Sequence, residues 1–343
     1  LTAHYYGAND ITAIDVNNVQ ISLLSEKEPF KSYAGMSNIP GLKLVHSEAR
    51  SWFARNREKF DLIQMSLIDT WAATGAGAFA LSENGLYTTD GWGIFLDDLD
   101  DDGVLTVSRW YVPTVTSETD RLVTLAMKTL FDKGINVPRN HIFLVTSGNL
   151  ATLVLSKSPF GPDQLRALHA QAKKRGYHIM ISPDKNDIPE FLATLLNAGD
   201  AATLYRLAAQ SKFDISPPDD NRPFFFNQVR IGNPFAVLSF LRAHKGTFVP
   251  GQAQATFNLY LILCFALFMV VFVILVPLYD AVTQSDKGFI YAGTGWFMLI
   301  GLGFMLLEVA LLQRMSIFLG HPVYGLGIVL FSLVLATGMG SLL

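Results

Sequence analysis

The chain has 343 residues, half of them hydrophobic, with a formal charge of −3 and a mean hydropathy of +0.31. A near-neutral balance without a basic stripe argues against a nucleic-acid-binding surface. One cysteine, Cys264, excludes an internal disulfide or a cysteine-built metal site, and the seven histidines are dispersed without metal-ligand spacing, so no metal is expected.

Polarity is unevenly placed. From Gly246 to Leu343 the ionisable Asp, Glu, Lys and Arg residues are Asp280, Asp286, Lys287, Glu308 and Arg314, and the part before carries a formal charge of −2. That first part is long enough to bury a core of its own. The expected division is an α/β domain over 1–160, an α/β extension and linker over 161–245, and a membrane domain over 246–343. Leu1 falls inside what reads as a domain, so the sequence is expected to be a piece of a longer protein.

In chain order, Ile11 to Val16 is a short β-rich run, followed by a helical stretch from Asn18 to Leu24. Leu42 to His46 is a second strand, leading into a helix over Glu48 to Asn56, and Phe60 to Leu67 is a third. A helix ends near Leu99, an acidic turn Asp100-Asp101-Asp102-Gly103 follows, and Val104 to Trp110 is a fourth strand. Ser117 to Lys133 places Leu122, Leu125, Ala126, Thr129 and Leu130 on one helical face. Alternating strands and helices predict a parallel sheet covered on both faces. His141 to Ser147 and Leu150 to Ser156 are separated only by Gly148-Asn149, so these two strands must form an antiparallel hairpin. A parallel sheet ending in such a hairpin is the signature of the class I methyltransferase variant of the Rossmann-like α/β fold. Tyr177 to Ile181 is one more apolar segment, and Ser216 to Pro223 reads as a Pro/Asp linker.

Three uncharged runs close the chain: 257–279, 288–307 and 322–343. Each is long enough as a helix to cross a hydrocarbon core of about 30 Å, so three transmembrane helices are predicted. Arg230, Arg242 and Lys245 before the first run, and Arg314 in a loop between the second and third, place the soluble part on the cytoplasmic side of a cell (inner) membrane, multi-pass. Glu308 closes the second run. An ionisable group at that depth is a functional candidate, with an ion pair to Arg314 as the structural alternative.

In doubly wound sheets, ligands sit beyond the carboxyl ends of the strands. Asp15 ends the first strand, where a carboxylate can accept from two adjacent ribose hydroxyls, and Glu48 follows the second. Ser66 and Asp69 follow the third, where a transferred group and its acceptor would meet. An Asp at a strand end is also an ordinary helix cap. The acidic run 97–102 reads as a solvated turn, and the segment from Trp71 to Glu83 suits a lid or a plain loop.

As a set, Ile14-Asp15-Val16-Asn17, Val45-His46-Ser47-Glu48-Ala49-Arg50, Phe60-Asp61-Leu62-Ile63, Leu86-Tyr87-Thr88 and Asp102-Gly103-Val104-Leu105 resemble the spermidine synthase (polyamine aminopropyltransferase) family. The resemblance is to its membrane-embedded bacterial members, with Arg222-Pro223-Phe224-Phe225-Phe226 before the membrane and Leu306-Leu307-Glu308 and Gly320-His321-Pro322 within it. It implies S-adenosylmethionine or its decarboxylated form as substrate, bound through Asp15, Asn17, Glu48 and Ala49. It further implies Asp69 and Ser66 as the catalytic positions, a small amine or other nucleophile as acceptor, contact with the lipid bilayer, and a homodimer. The family's Gly-rich loop would precede Leu1. A serine, Ser66, stands where the family carries an aspartate that binds and deprotonates the attacking amine, and a serine can do neither near neutral pH. Two functions are therefore expected: a membrane-anchored transferase, or a transporter or sensor that keeps the nucleotide pocket without catalysis.

Overall fold

The computed structural model describes residues 1–68, 83–113, 117–230, 261–277, 287–319 and 322–342. The chain divides into two compact units, Leu1–Ile262 and Leu263–Leu343.

The first unit is mixed α/β. Strands β1 (Ile11–Asp15) and β2 (Leu42–His46) form a parallel pair in the register Ile11↔Leu42 to Asp15↔His46. A second sheet holds β3 (Phe60–Ser66), β4 (Leu99–Trp110), β5 (Ile142–Ser147), β6 (Leu150–Ser156) and β7 (His178–Ile181) in the order β3-β4-β6-β5-β7. Only β3 and β4 are parallel there; β6 lies antiparallel to β4 and to β5, and β7 antiparallel to β5. The predicted hairpin is present, and Gly148 at φ +54° supplies the left-handed residue its two-residue turn needs. The single sheet expected from the strand pattern is instead two among the described residues, because no ladder joins the β1–β2 pair to β3.

Around these strands run α1 (Thr2–Tyr5), α2 (Asn18–Ser25), α3 (Phe30–Ala34), α4 (Ala49–Phe53), α5 (Thr89–Asp97), α6 (Ser117–Asp132), α7 (Pro162–Arg175), α8 (Glu190–Leu196) and α9 (Ala201–Gln210). The apolar stripe read for α6 is the face it buries: Leu122, Leu125, Ala126, Thr129 and Leu130 are all fully shielded. Leu122, Leu125, Ala126 and Leu130 pack with Leu105 and Val107 of β4, Leu153 and Leu155 of β6, and Trp92, Phe95 and Leu96 of α5 in one core. Met180, Ile181, Leu204, Ala208, Phe225 and Phe226 belong to the same core.

Two local readings are corrected. The acidic run Asp100 to Gly103 is not a turn but part of β4, with its three carboxylates turned to solvent and a register shift between Phe60 and Leu62. Gly103 is needed there because a Cβ would lie 2.7 Å from the Phe60 carbonyl oxygen. Nor is Ser216 to Pro223 a free linker. Ile215 and Pro217, Pro218 and Pro223 are buried, and Phe225 stacks on Tyr87 at 4.8 Å between centroids.

The second unit contains α11 (Lys287–Leu319) and α12 (Pro322–Gly340), which pack on each other. A further apolar helix, α10, covers Leu261–Ile274, and its last turn is part of a π-helical stretch, Val270–Leu275. Among the described residues one helix, Ile290–Leu312 within α11, is long and apolar enough to cross a membrane, where the sequence had predicted three. The apolar helical stretches of α10 and α12 fall below that length. The 288–307 run also continues rather than ending at Glu308, since isolated charges interrupt hydropathy without breaking helical hydrogen bonds. Arg314 consequently lies inside α11, not in a loop. Six residues at 100° each set Glu308 and Arg314 about 120° apart around the helix. No ion pair joins them among the described residues.

Candidate functional site

Asp15 and Glu48 come together at the carboxyl ends of β1 and β2. Asp15 is the last residue of β1 and pairs in register with His46, two residues before Glu48. The backbone N–H of Ser47 donates to the Asp15 carbonyl at 3.1 Å, and His46 Nε2 lies 3.1 Å from the Val16 carbonyl oxygen. Both carboxylates are half-buried.

Each predicted ligand also does structural duty. Asp15 Oδ1 accepts from the Asn17 N–H at 2.7 Å, and Asn17 caps α2 by accepting from Val19 and Gln20 at 3.0 and 3.3 Å. Glu48 caps α4, its Oε1 accepting from Arg50 N–H at 2.9 Å and its Oε2 from Ser51 N–H at 2.6 Å. Ala49 is the first residue of that helix. Capping uses one lone pair on each oxygen and leaves the others for a ligand's hydroxyls. The Glu48 cap and the Asn17 N–H bond to Asp15 also fix both carboxylates in space.

Ser66 ends β3 on its exposed face, where Gln64 Nε2 donates to Ser66 Oγ at 3.2 Å. Among the described residues no hydrogen bond joins Ser66 to Asp15 or Glu48. Leu67 follows with φ +48°, left-handed backbone in a branched residue, and its N–H donates to the Ser108 carbonyl at 3.3 Å. Strain of this kind collects where a chain must turn sharply at a binding site. Asp69 and the Trp71–Gly75 part of the suggested lid lie outside the described residues. Glu83 is half-buried, and burial raises its pKa.

The feature that sequence reasoning missed is a polar node behind Glu48. The Arg50 guanidinium donates to both Asp220 oxygens, Nη1 to Oδ1 at 2.7 Å and Nη2 to Oδ2 at 2.5 Å. Thr88 Oγ1 donates to the same Oδ1 at 2.9 Å while accepting from the Gly91 N–H at 3.0 Å, and Asp90 accepts from the Asp220 N–H at 3.0 Å. Gly91 must be glycine, because a Cβ there would meet the Gly85 carbonyl oxygen at 2.6 Å. Arg50 and Asp220 are 170 residues apart. No local periodicity could join them.

The Arg50 fork holds the Asp220 carboxyl below its ordinary value of 3.8, against an opposing push from partial burial. A folded-state pKa below the unfolded one stabilises the fold above the ordinary value, and that contribution is lost as pH falls through the folded one. A carbon-detected NMR titration of Asp220 should therefore show a midpoint below 3.8, returning to the ordinary range in Arg50→Met. An unchanged midpoint in the variant would deny the pairing.

Among the described residues no group of three His, Cys, Asp or Glu side chains could hold a metal ion. No family model matches the chain, and no curated protein sequence matches it. Solved structures similar to part of it include a spermidine synthase in complex with the transition-state analogue AdoDATO, at 17% identity and a TM-score of 0.30 over 46% of this chain and 50% of that one. Another is the spermidine synthase from Thermotoga maritima, at 17% identity and a TM-score of 0.31 over the same shares. The chain spans about half the length of these structures.

Proposed function

We propose that the first unit binds S-adenosylmethionine or its decarboxylated form beyond the carboxyl ends of β1 to β4, and transfers a carbon group from the sulfonium to a small amine or other nucleophile. The observation that carries the reading is the pair of half-buried carboxylates at the carboxyl ends of two adjacent parallel strands, Asp15 as the last residue of β1 and Glu48 two residues beyond the end of β2. Two acceptors held by backbone N–H groups suit the vicinal hydroxyls of a ribose. In the reaction the S–C bond breaks as the nucleophile's lone pair forms the new bond, the sulfur leaves as a neutral thioether, and the nucleophile's proton passes to a base, for which Asp69 is the proposed residue. The unit is anchored at a membrane through Ile290–Leu312, on the cytoplasmic side favoured by Arg230, Arg242 and Lys245. A second reading, a sensor that binds the nucleotide without turnover, is favoured by Ser66 in place of a carboxylate.

Binding tests the first step. In the intact protein Asp15→Ala should weaken calorimetric binding of decarboxylated S-adenosylmethionine by about 1.5–3 kcal/mol, the worth of a hydrogen bond to a charged group. Equal affinity in the variant would remove Asp15 from the site. For the orientation, a cysteine at Asn149, on the exposed hairpin turn, in a Cys264→Ser background should react with an impermeant thiol reagent only after cells are permeabilised. Labelling of intact cells would reverse the assignment.

A further inference from the structure

The node behind Glu48 carries a consequence for binding. Helix α4 has five residues, too few to hold its own geometry in water. Its direction is set from outside. At its carboxyl end Phe53 meets the rings of Phe60 and Phe95, at 5.8 and 5.2 Å. At its amino end the Arg50 side chain tethers it across the chain, through the fork on Asp220, the Gly85 carbonyl at 3.3 Å and the Thr88 hydroxyl at 3.5 Å. Arg50 thus faces two ways: its backbone N–H holds Glu48 Oε1, and its side chain holds the segment around Asp220.

That segment is itself immobilised from the other side. Asn84 and Thr89 donate their N–H groups to the Pro223 and Pro218 carbonyls, and buried Arg121 donates to four backbone carbonyls between Ser216 and Asn227. Asp220 is therefore a fixed point, and Arg50 transmits its position to the first turn of α4.

We propose that Arg50 and Asp220 are positioning residues that aim the Glu48 carboxylate at the adenosyl ligand, so that affinity depends on the segment from Asp214 to Gln228. This rests on the binding site proposed above. A bidentate fork fixes both distance and plane, which a single point charge cannot do. Substituting either partner should therefore loosen the Glu48 cap without dissolving the core, since Asp220 is exposed and Arg50 only half-buried.

The test uses the intact protein with decarboxylated S-adenosylmethionine as probe, and compares wild type, Asp220→Asn, Glu48→Gln and the double variant. Amide exchange at Arg50 and Ser51 reports the cap, amides of β4 and α6 report the fold, and calorimetry reports affinity. In Asp220→Asn the two cap amides should exchange about tenfold faster with β4 and α6 unchanged, and affinity should fall about tenfold, the range for coupled neighbours. The loss caused by Glu48→Gln should shrink in the Asp220→Asn background, and Arg50→Lys should recover less than half of the affinity lost in Arg50→Met. Unchanged affinity in Asp220→Asn, or additive losses in the double variant, would overturn the positioning role while leaving the site intact. Failure of the wild type to bind the probe would overturn the site and this proposal together.

Discussion

Arg121→Met is expected to lower the stability of the first unit by about 3–5 kcal/mol, the usual cost of breaking a buried charged network. Arg121 sits on α6 and is almost fully shielded. Its Nη1 donates to the carbonyls of Phe224, Phe225 and Asn227 at 3.1, 2.8 and 2.7 Å, and its Nε to Ser216 at 3.0 Å. Burial pushes its pKa down to about 10, with Asp214 opposing the shift, and the group stays cationic at neutral pH. Methionine matches the volume of the stem but donates to none of the four carbonyls, and each buried acceptor left unpaired costs about 1–3 kcal/mol. The backbone of Phe224 and Phe225 would lose this support while the Phe225 ring still belongs to the core. Amide exchange in the intact protein should show protection collapsing first over residues 214–228 and then over α6. A loss below about 1 kcal/mol would mean that water replaces the guanidinium, and that the segment is held by its phenylalanines alone.

The second large effect concerns chemistry. With Ser66 at the end of β3, the intact protein should transfer little or no aminopropyl group from decarboxylated S-adenosylmethionine to putrescine. Putrescine arrives as a dication, and the site has both to attract it and to take a proton from the attacking nitrogen. The proposed base, Asp69, would have to do both with one charge, because Ser66 Oγ is a neutral hydroxyl already accepting from Gln64 and cannot share either task. General-base assistance contributes about 10²–10⁴-fold, and a deficit of that order is expected. Ser66→Asp should recover part of it, because the position is exposed and tolerates a carboxylate without burying charge. Mass spectrometry of the products decides. Rapid turnover by the unaltered protein would show that the serine is no obstacle. Absence of turnover in both forms would favour another acceptor or the sensor reading.

What the sequence made legible follows from range. The strands around Ile14, Val45 and Ile63 announce themselves by local apolar runs, and the α6 stripe by its helical period. The hairpin follows from two residues of turn chemistry. The Pro/Asp-rich stretch at 216–223 reads as a linker for an equally local reason, since prolines and aspartates favour turns. Its burial depends on Arg121 and Tyr87, roughly 95 to 140 residues earlier, and no window of sequence joins them to it. The acidic run in β4 misleads in the same way, because a strand that faces solvent can carry carboxylates at no cost. In the second unit, Glu308 closed a hydrophobic run and Arg314 read as a loop residue in the sequence, but both lie inside one helix in the fold.

For the site, the locations were legible and the supports were not. Asp15, Asn17, Glu48 and Ala49 stand at or just beyond strand ends as expected; Asn17 and Glu48 are helix caps besides, and Asp15 holds the Asn17 N–H. Position came from strand–helix punctuation, which is local. The Arg50–Asp220 fork that steadies one of them is not local, and only the folded chain brings it into view.

The central claim is that an adenosyl ligand lies across the carboxyl ends of β1 and β2. Amide hydrogen exchange of the intact protein, with and without saturating decarboxylated S-adenosylmethionine, tests it most directly. The account predicts new protection confined to the amides from Asp15 to Gln20 and from Ser47 to Ser51, with the strands β5 and β7 unchanged. Protection spread evenly over the sheet, or none at either strand end, would contradict it.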